Sequence, residues 1–121
     1  MPRFVVLRHE LPTGPRAGVH WDLMLERDGV LRTWALAEEP RPNCEISAEP
    51  LGEHRLDYLE YEGPVSGNRG SVSRWDAGEY EAQSESAEEI VVRLRGAKLR
   101  GTVRLRRQGG GQKAWLFDYC V

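Results

Sequence analysis

The chain has 121 residues, enough for one domain around one core, and 1–121 is read as a single unit. Its 40% hydrophobic and 30% charged residues exclude a disordered tail, and no apolar run approaches the ~20 residues of a spanning helix. A net charge of -2 excludes a global positive field, so any nucleic-acid partner must be met by a local patch.

Residues 3–9, Arg-Phe-Val-Val-Leu-Arg-His, are β-branched and aromatic and predict a first strand. Residues 10–18 hold two prolines and two glycines and predict a loop. Val19 to Glu26 then alternates without a break. Val19, Trp21, Leu23 and Leu25 fall on one face of a half-buried strand, with His20, Asp22, Met24 and Glu26 on the solvated one. Asp28-Gly29 is a hairpin signal, and Val30 to Ala37 is the returning strand.

Residues 38–53, with Pro40, Pro42 and Pro50, read as irregular. Residues 56–61 suit a short strand or a turn of helix, and Pro64 to Gly70 a loop. Ser71–Trp75 and Glu79–Gln83 read as a hairpin around a tight turn at Asp76-Ala77-Gly78, followed by a polar loop over 84–88. Glu89–Arg95, Leu99–Arg106 and Ala114–Cys120 are three more strands. Gly96-Ala97-Lys98 joins the first two, and a glycine-rich hairpin tip over 108–112 joins the second pair. About eight short strands and no good helix predict an all-β fold, a compact antiparallel β-barrel with a concave polar active site, or a sandwich.

Cys44 and Cys120 lack metal-type spacing, and reduced thiols in a cytoplasmic protein are expected. The N-terminus has no secretory-signal layout, and no membrane partner is expected. Arg93, Arg95, Lys98, Arg100, Arg104, Arg106 and Arg107 crowd together, while acids cluster from Glu79 to Glu89. This reads either as a basic flank or as strands with arginine on their wet face.

Three histidines carry the chemistry: His9, His20 and His54. His9 ends the first strand and His20 opens the second, so one loop brings both to one rim if the strands are neighbours. Asp22 follows His20 on the same face, about 6–7 Å along the strand. Two imidazoles and a carboxylate leave open coordination positions and suit Mn, Fe or Zn. The alternative is that His9 merely ends a strand and His20 hydrogen-bonds a loop. His54 and Tyr58, four residues apart, could hold and protonate a phosphate oxygen. No serine stands in a nucleophile elbow, and neither a P-loop nor a Rossmann fingerprint is present.

The segments Phe4–His9, His20–Leu31, Trp34-Ala35-Leu36, His54–Gly63, Gly70-Ser71-Val72, Trp75–Tyr80, Leu94–Gly101 and Trp115-Leu116 resemble, in order, the 3′-phosphoesterase domain of bacterial DNA ligase D. The resemblance implies a compact β-barrel using Mn²⁺, with Zn²⁺ and Co²⁺ as alternatives. It implies processing of DNA or RNA-tipped DNA 3′ ends in end-joining repair: a 3′-ribonucleoside is removed to leave a 3′-phosphate, which is then removed. The partners implied are nucleic-acid 3′ ends and end-joining repair proteins. On this resemblance His9, His20 and Asp22 match the metal ligands, and His54 and Tyr58 the catalytic, phosphate-contacting pair.

Three positions depart from the family pattern. Met24, Glu38 and Ile46 stand where the family carries basic residues, and the loop between the first two histidines is longer. Arg8, Arg16, Arg55, Arg69 and Arg74 are candidate substitutes for binding phosphate, Arg16 foremost because its loop lies between two ligands. If the chemistry is latent, Met24→Arg is expected to raise activity. Two rivals stand beside the phosphoesterase: a non-catalytic or weakly active module binding nucleic-acid ends in a repair complex, and a closed structural Zn site.

Overall fold

Phe4, Val5, Val6 and Leu7 are all at or below 1% exposed. A strand buried on both faces needs a strand on each edge and cover on each side. The computed structural model, which describes residues 1–14, 17–67, 69–109 and 114–121, supplies both. Its strands are β1 (Arg3–Leu11), β2 (Gly18–Arg27), β3 (Val30–Leu36), β4 (Glu45–His54), β5 (Gly63–Pro64), β6 (Ser71–Glu85), β7 (Glu89–Gly96), β8 (Arg100–Arg107) and β9 (Trp115–Cys120). One 3₁₀ turn, Leu56–Leu59, lies between β4 and β5.

All pairings are antiparallel, in the order β1-β2-β3-β4-β9-β8-β7-β6, and β6 pairs back onto β1. The result is a closed, barrel-like ring of eight strands, with β5 added against the start of β6. Among the described residues no helix is long and apolar enough to cross a membrane.

The strand β6 does not turn at Asp76-Ala77-Gly78 as expected; it runs unbroken for 15 residues. Its first part pairs with β1 and its later part with β7, and register shifts let it bend between them. Gly78 serves close approach, because a Cβ there would meet the Arg95 carbonyl at 2.2 Å. Asp76 does serve a turn, but a distant one. Its Oδ1 accepts the N–H of Ala97, and its Oδ2 accepts those of Lys98 and Leu99.

Residues 45–53, part of the 38–53 stretch expected to be irregular, lie in β4, which runs to His54. Pro50 hid the strand. It is tolerated because the ladder with β9 ends at Ala48↔Trp115, so Pro50 stands where that edge needs no donor. The Asp28-Gly29 turn is as expected, with φ of 53° and 83°, the left-handed pair that a two-residue hairpin requires.

The ring interior holds Phe4, Val6, Leu23, Leu25, Leu36, Ile46, Val103, Leu105 and Phe117. A second, smaller cluster lies on the opposite faces of β1 and β2: Val5, Leu7, Met24, Leu31, Val72 and, from the 3₁₀ turn, Leu59. Hence the face of β2 expected to be wet is covered. Met24 is 1% exposed and Asp22 3%.

Candidate metal centre

Strand register assembles the centre. On the covered face, His9 is paired with His20 across β1 and β2, and Leu7 with Asp22. The two imidazoles lie with ring centroids 4.7 Å apart. Ligand atoms of His9, His20 and Asp22 all fall within 4.8 Å of one another. The structure therefore brings together the three residues that flank the loop, on the outer wall of the ring and beside the second cluster.

His9 Nε2 lies 2.6 Å from the carbonyl oxygen of Arg69. A carbonyl only accepts, so Nε2 carries the hydrogen. Nδ1 then faces Asp22 Oδ2 at 3.1 Å. Asp22 Oδ1 lies 3.1 Å from His20 Nε2 but out of line for a hydrogen bond, and it is buried without one. A buried carboxylate set between two imidazoles, with one oxygen left without a hydrogen bond, fits a divalent cation. The arrangement also has the outer support that metal-binding histidines need, a carbonyl on the far nitrogen.

The charges respond to one another. The Asp22 carboxylate holds the His9 imidazole above its ordinary value, chiefly through their hydrogen bond and against the effect of burial. Burial pushes the Asp22 carboxyl up, but His20 and His9 outweigh it and hold the group below the ordinary range.

Support from the 63–72 region depends on one glycine. Gly70 has φ of +79°, and a Cβ there would lie 1.8 Å from the Glu10 carbonyl oxygen. Only glycine lets this segment sit against the end of β1 and deliver the Arg69 carbonyl. Sequence reasoning named Arg69 for its guanidinium. Its placed contribution is the backbone oxygen, for which the signal was Gly70.

His54 and Tyr58 also meet, with ring centroids 5.7 Å apart in an edge-to-face arrangement. His54 Nδ1 lies 2.9 Å from both the Gly52 carbonyl and Thr33 Oγ1. The carbonyl fixes the hydrogen on Nδ1 and leaves Nε2 as the working nitrogen. Thr33 stands opposite Met24 on β3, and Ala35 stands opposite Asp22. Thr33 was missed in the sequence, where nothing but strand register could have found it.

The candidate phosphate-binding arginines divide. Arg8 falls on the opposite face of β1 from His9 and pairs with Glu10, so it does not join the centre. Arg69 Nε donates to the Ser66 carbonyl at 2.8 Å, and Arg74 donates to the Leu59 carbonyl at 3.0 Å. Arg55 precedes the 3₁₀ turn and is exposed. Arg16 lies outside the described residues, as does most of the expected hairpin tip at 108–112.

Of the three departures, Met24 is sealed in the second cluster and Glu38 is exposed and paired with Arg41 at 3.0 Å. Ile46 faces the ring interior, so the expectation that a phosphate cation is missing there is corrected: that side chain does not point to the centre's face. The basic flank is largely arginine on a wet face with acids across the strands. Arg104 lies 3.5 Å from Asp118, Arg106 reaches Glu45 at 2.6 Å, and Arg95 lies 3.6 Å from Glu81.

The sequence model of a family described as the DNA ligase D 3′-phosphoesterase domain matches residues 9–107. The multifunctional non-homologous end joining protein LigD of Mycobacterium bovis is 32% identical over 106 residues, covering 80% of this chain and 14% of that protein. The protein of the same description from Mycolicibacterium smegmatis is 31% identical over 133 residues, covering 94% and 16%. That from Pseudomonas aeruginosa is 30% identical over 126 residues, covering 94% and 14%. The chain thus spans about one-seventh of the length of these relatives.

Proposed function

Because the chain belongs to the DNA ligase D 3′-phosphoesterase domain family, we propose that it is a divalent-metal-dependent phosphoesterase that processes 3′ ends of DNA or RNA-tipped DNA during end repair. The observation that supports the reading is the buried Asp22 carboxylate set between His9 and His20, with its Oδ1 left without a hydrogen bond. Mn²⁺ is the favoured ion on the family resemblance, with Zn²⁺ and Co²⁺ as alternatives, and the mixed nitrogen and oxygen donor set accepts each of them. When bound, the ion supplies Lewis-acid polarisation of a phosphate oxygen.

The protein's own groups do the rest. His9 Nδ1, His20 Nε2 and the Asp22 carboxylate would hold the ion, and the Arg69 carbonyl fixes which nitrogen of His9 is free. His54 keeps its Nδ1 hydrogen on Gly52 and Thr33, so its Nε2 is left for the phosphate and, in the imidazolium form, passes a proton to the leaving oxygen. Tyr58, packed edge-to-face on His54, offers a neutral hydroxyl to orient the phosphate.

The test uses a DNA primer ending in one 3′-ribonucleotide and another ending in a 3′-phosphate, each with Mn²⁺ and folded protein. Product from either supports the reading, and none from both refutes it. A second reading, a nucleic-acid-end-binding module with little or no turnover, draws on the absence of a basic side chain at Met24 and Glu38. Under it His20→Ala spares binding, whereas under the first reading the same change abolishes product.

A further inference from the structure

The sequence offers Arg74 as a phosphate-binding cation, but the fold gives it another task. Along β6, Val72 stands opposite His9 and Arg74 opposite Leu7. Two residues along a strand span about 6–7 Å, so Arg74 stands one step away from the metal ligands. There it meets the segment that carries Tyr58. Its Nη2 donates to the Leu59 carbonyl at 3.0 Å, and its backbone N–H donates to Glu62 Oε2 at 2.7 Å.

Those two bonds bracket residues 59–62, the piece that joins Tyr58 to Tyr61. The Tyr58 ring meets two others edge-to-face, with centroids 5.7 Å from His54 and 5.8 Å from Tyr61. Local structure alone does not fix it there. A 3₁₀ turn of four residues is marginal by itself, and its last carbonyls find no partner within it. A cation suits that end, yet the last turn has no basic residue of its own. The β5 ladder on β6 consists of Gly63↔Val72 and Pro64↔Ser71, and it stops short of the turn. Leu59, 6% exposed, anchors the turn in the second cluster, but apolar burial is non-directional and leaves its rotation open. The Arg74 guanidinium supplies the directional bond, at the residue next to Tyr58.

We propose that Arg74 is a positioning residue: by holding the Leu59 carbonyl it fixes the Tyr58 hydroxyl for the phosphate beside His54, and it does not itself bind phosphate. The inference rests on the proposed phosphoesterase reading and deepens it. A displacement of about 1 Å can cost on the order of 10²-fold in rate, so a small rotation of the turn is enough to matter. Arg74 thereby acts on the reaction through a neutral hydroxyl rather than through its charge.

The test compares Arg74→Met, which keeps the length of the side chain but no donor, with Arg74→Lys, which keeps a donor. The position is exposed, so the fold is expected to survive both. The substrate is the DNA primer ending in one 3′-ribonucleotide, with Mn²⁺. Arg74→Met is expected to lower kcat about tenfold or more and to move KM less than about threefold, and Arg74→Lys to return kcat to within about threefold of the wild type. In a Tyr58→Phe background the same Arg74→Met change is expected to cost less than about twofold, because the hydroxyl it positions is gone. The fall of log kcat/KM with log salt concentration is expected to keep its slope, whereas losing a phosphate contact would flatten it by about one. Additive losses, a flattened slope or no recovery in Arg74→Lys overturn the proposal and leave phosphoesterase activity standing. Absence of product from the wild type overturns the phosphoesterase reading instead. Positioning is then read without turnover, in the metal-free protein. The His54 ring-proton NMR signals, which feel the neighbouring Tyr58 ring, are expected to move in Arg74→Met and to return in Arg74→Lys. Signals unmoved by Arg74→Met overturn the positioning role.

Discussion

His9 Nδ1 and Asp22 Oδ2, on neighbouring strands and thirteen residues apart in sequence, lie 3.1 Å from each other. Their mutual shifts give the metal-free protein a pH signature. His9 is raised, so its contribution is fully present below the ordinary value of about 6.5 and is lost as pH rises through its folded value. Asp22 is lowered, so its contribution is present above the ordinary carboxylate value of about 3.9 and is lost as pH falls through its folded value. The pair therefore stabilises most between about pH 4 and 6.5. A metal needs the His9 nitrogen unprotonated, so the rise in thermal midpoint on adding Mn²⁺ is expected to be larger at pH 8 than at pH 6. Equal rises at the two pH values would count against coordination through His9.

Asp22→Asn keeps the volume of a 3%-exposed side chain and removes its charge. Isothermal titration is expected to show Mn²⁺ affinity down by ~100-fold or more, judged against the ~10–100-fold that outer supporting groups command. Circular dichroism should still report the strand signal. Undiminished affinity would remove Asp22 from the ligand set.

Met24→Arg distinguishes the sequence expectation from the folded chain. From sequence alone it would restore a phosphate-binding cation and raise activity. In the structure Met24 is packed among Val5, Leu7, Leu31, Leu59 and Val72, so the substitution places an unpaired guanidinium in an apolar cluster. A loss of roughly 3 kcal/mol or more in urea unfolding is expected, with no gain in turnover. A stable, more active variant would show that the 3₁₀ turn can lift to let the arginine out.

Gly70→Ala tests the outer support of His9. The added methyl would meet the Glu10 carbonyl oxygen at 1.8 Å in a left-handed backbone, so the segment must move away. With the Arg69 carbonyl withdrawn, Mn²⁺ affinity is expected to fall ~10–100-fold, the usual cost of losing such a partner. Gly109→Ala, where a Cβ would meet nothing within 4 Å, is the control expected to leave affinity unchanged.

The ring and the centre were legible in the sequence to different depths. His9 and His20 could be paired because a Pro/Gly loop with a strand on each side constrains where its ends go. Their register then followed without further information. β4 was hidden because Pro50 is a breaker on a fully paired strand but not beyond the end of a ladder. Asp76 was misread because the turn it caps is made by residues 97–99, more than twenty positions away. The burial of Met24 was invisible for the same reason: alternation reports two faces, not what a distant 3₁₀ turn lays over one of them. Only contact between distant segments could reveal the Thr33 bond to His54.

Pro50 has a further consequence. A closed ring offers other molecules almost no strand edge to copy, but β4 outlives its ladder with β9 after Ala48. An open run of amide donors there would invite another chain's strand to add on and start an ordered aggregate. Proline has no amide hydrogen to offer, and it fixes the local backbone. The end of β4 beyond that ladder is therefore a poorer template for self-association than an all-amide strand would be.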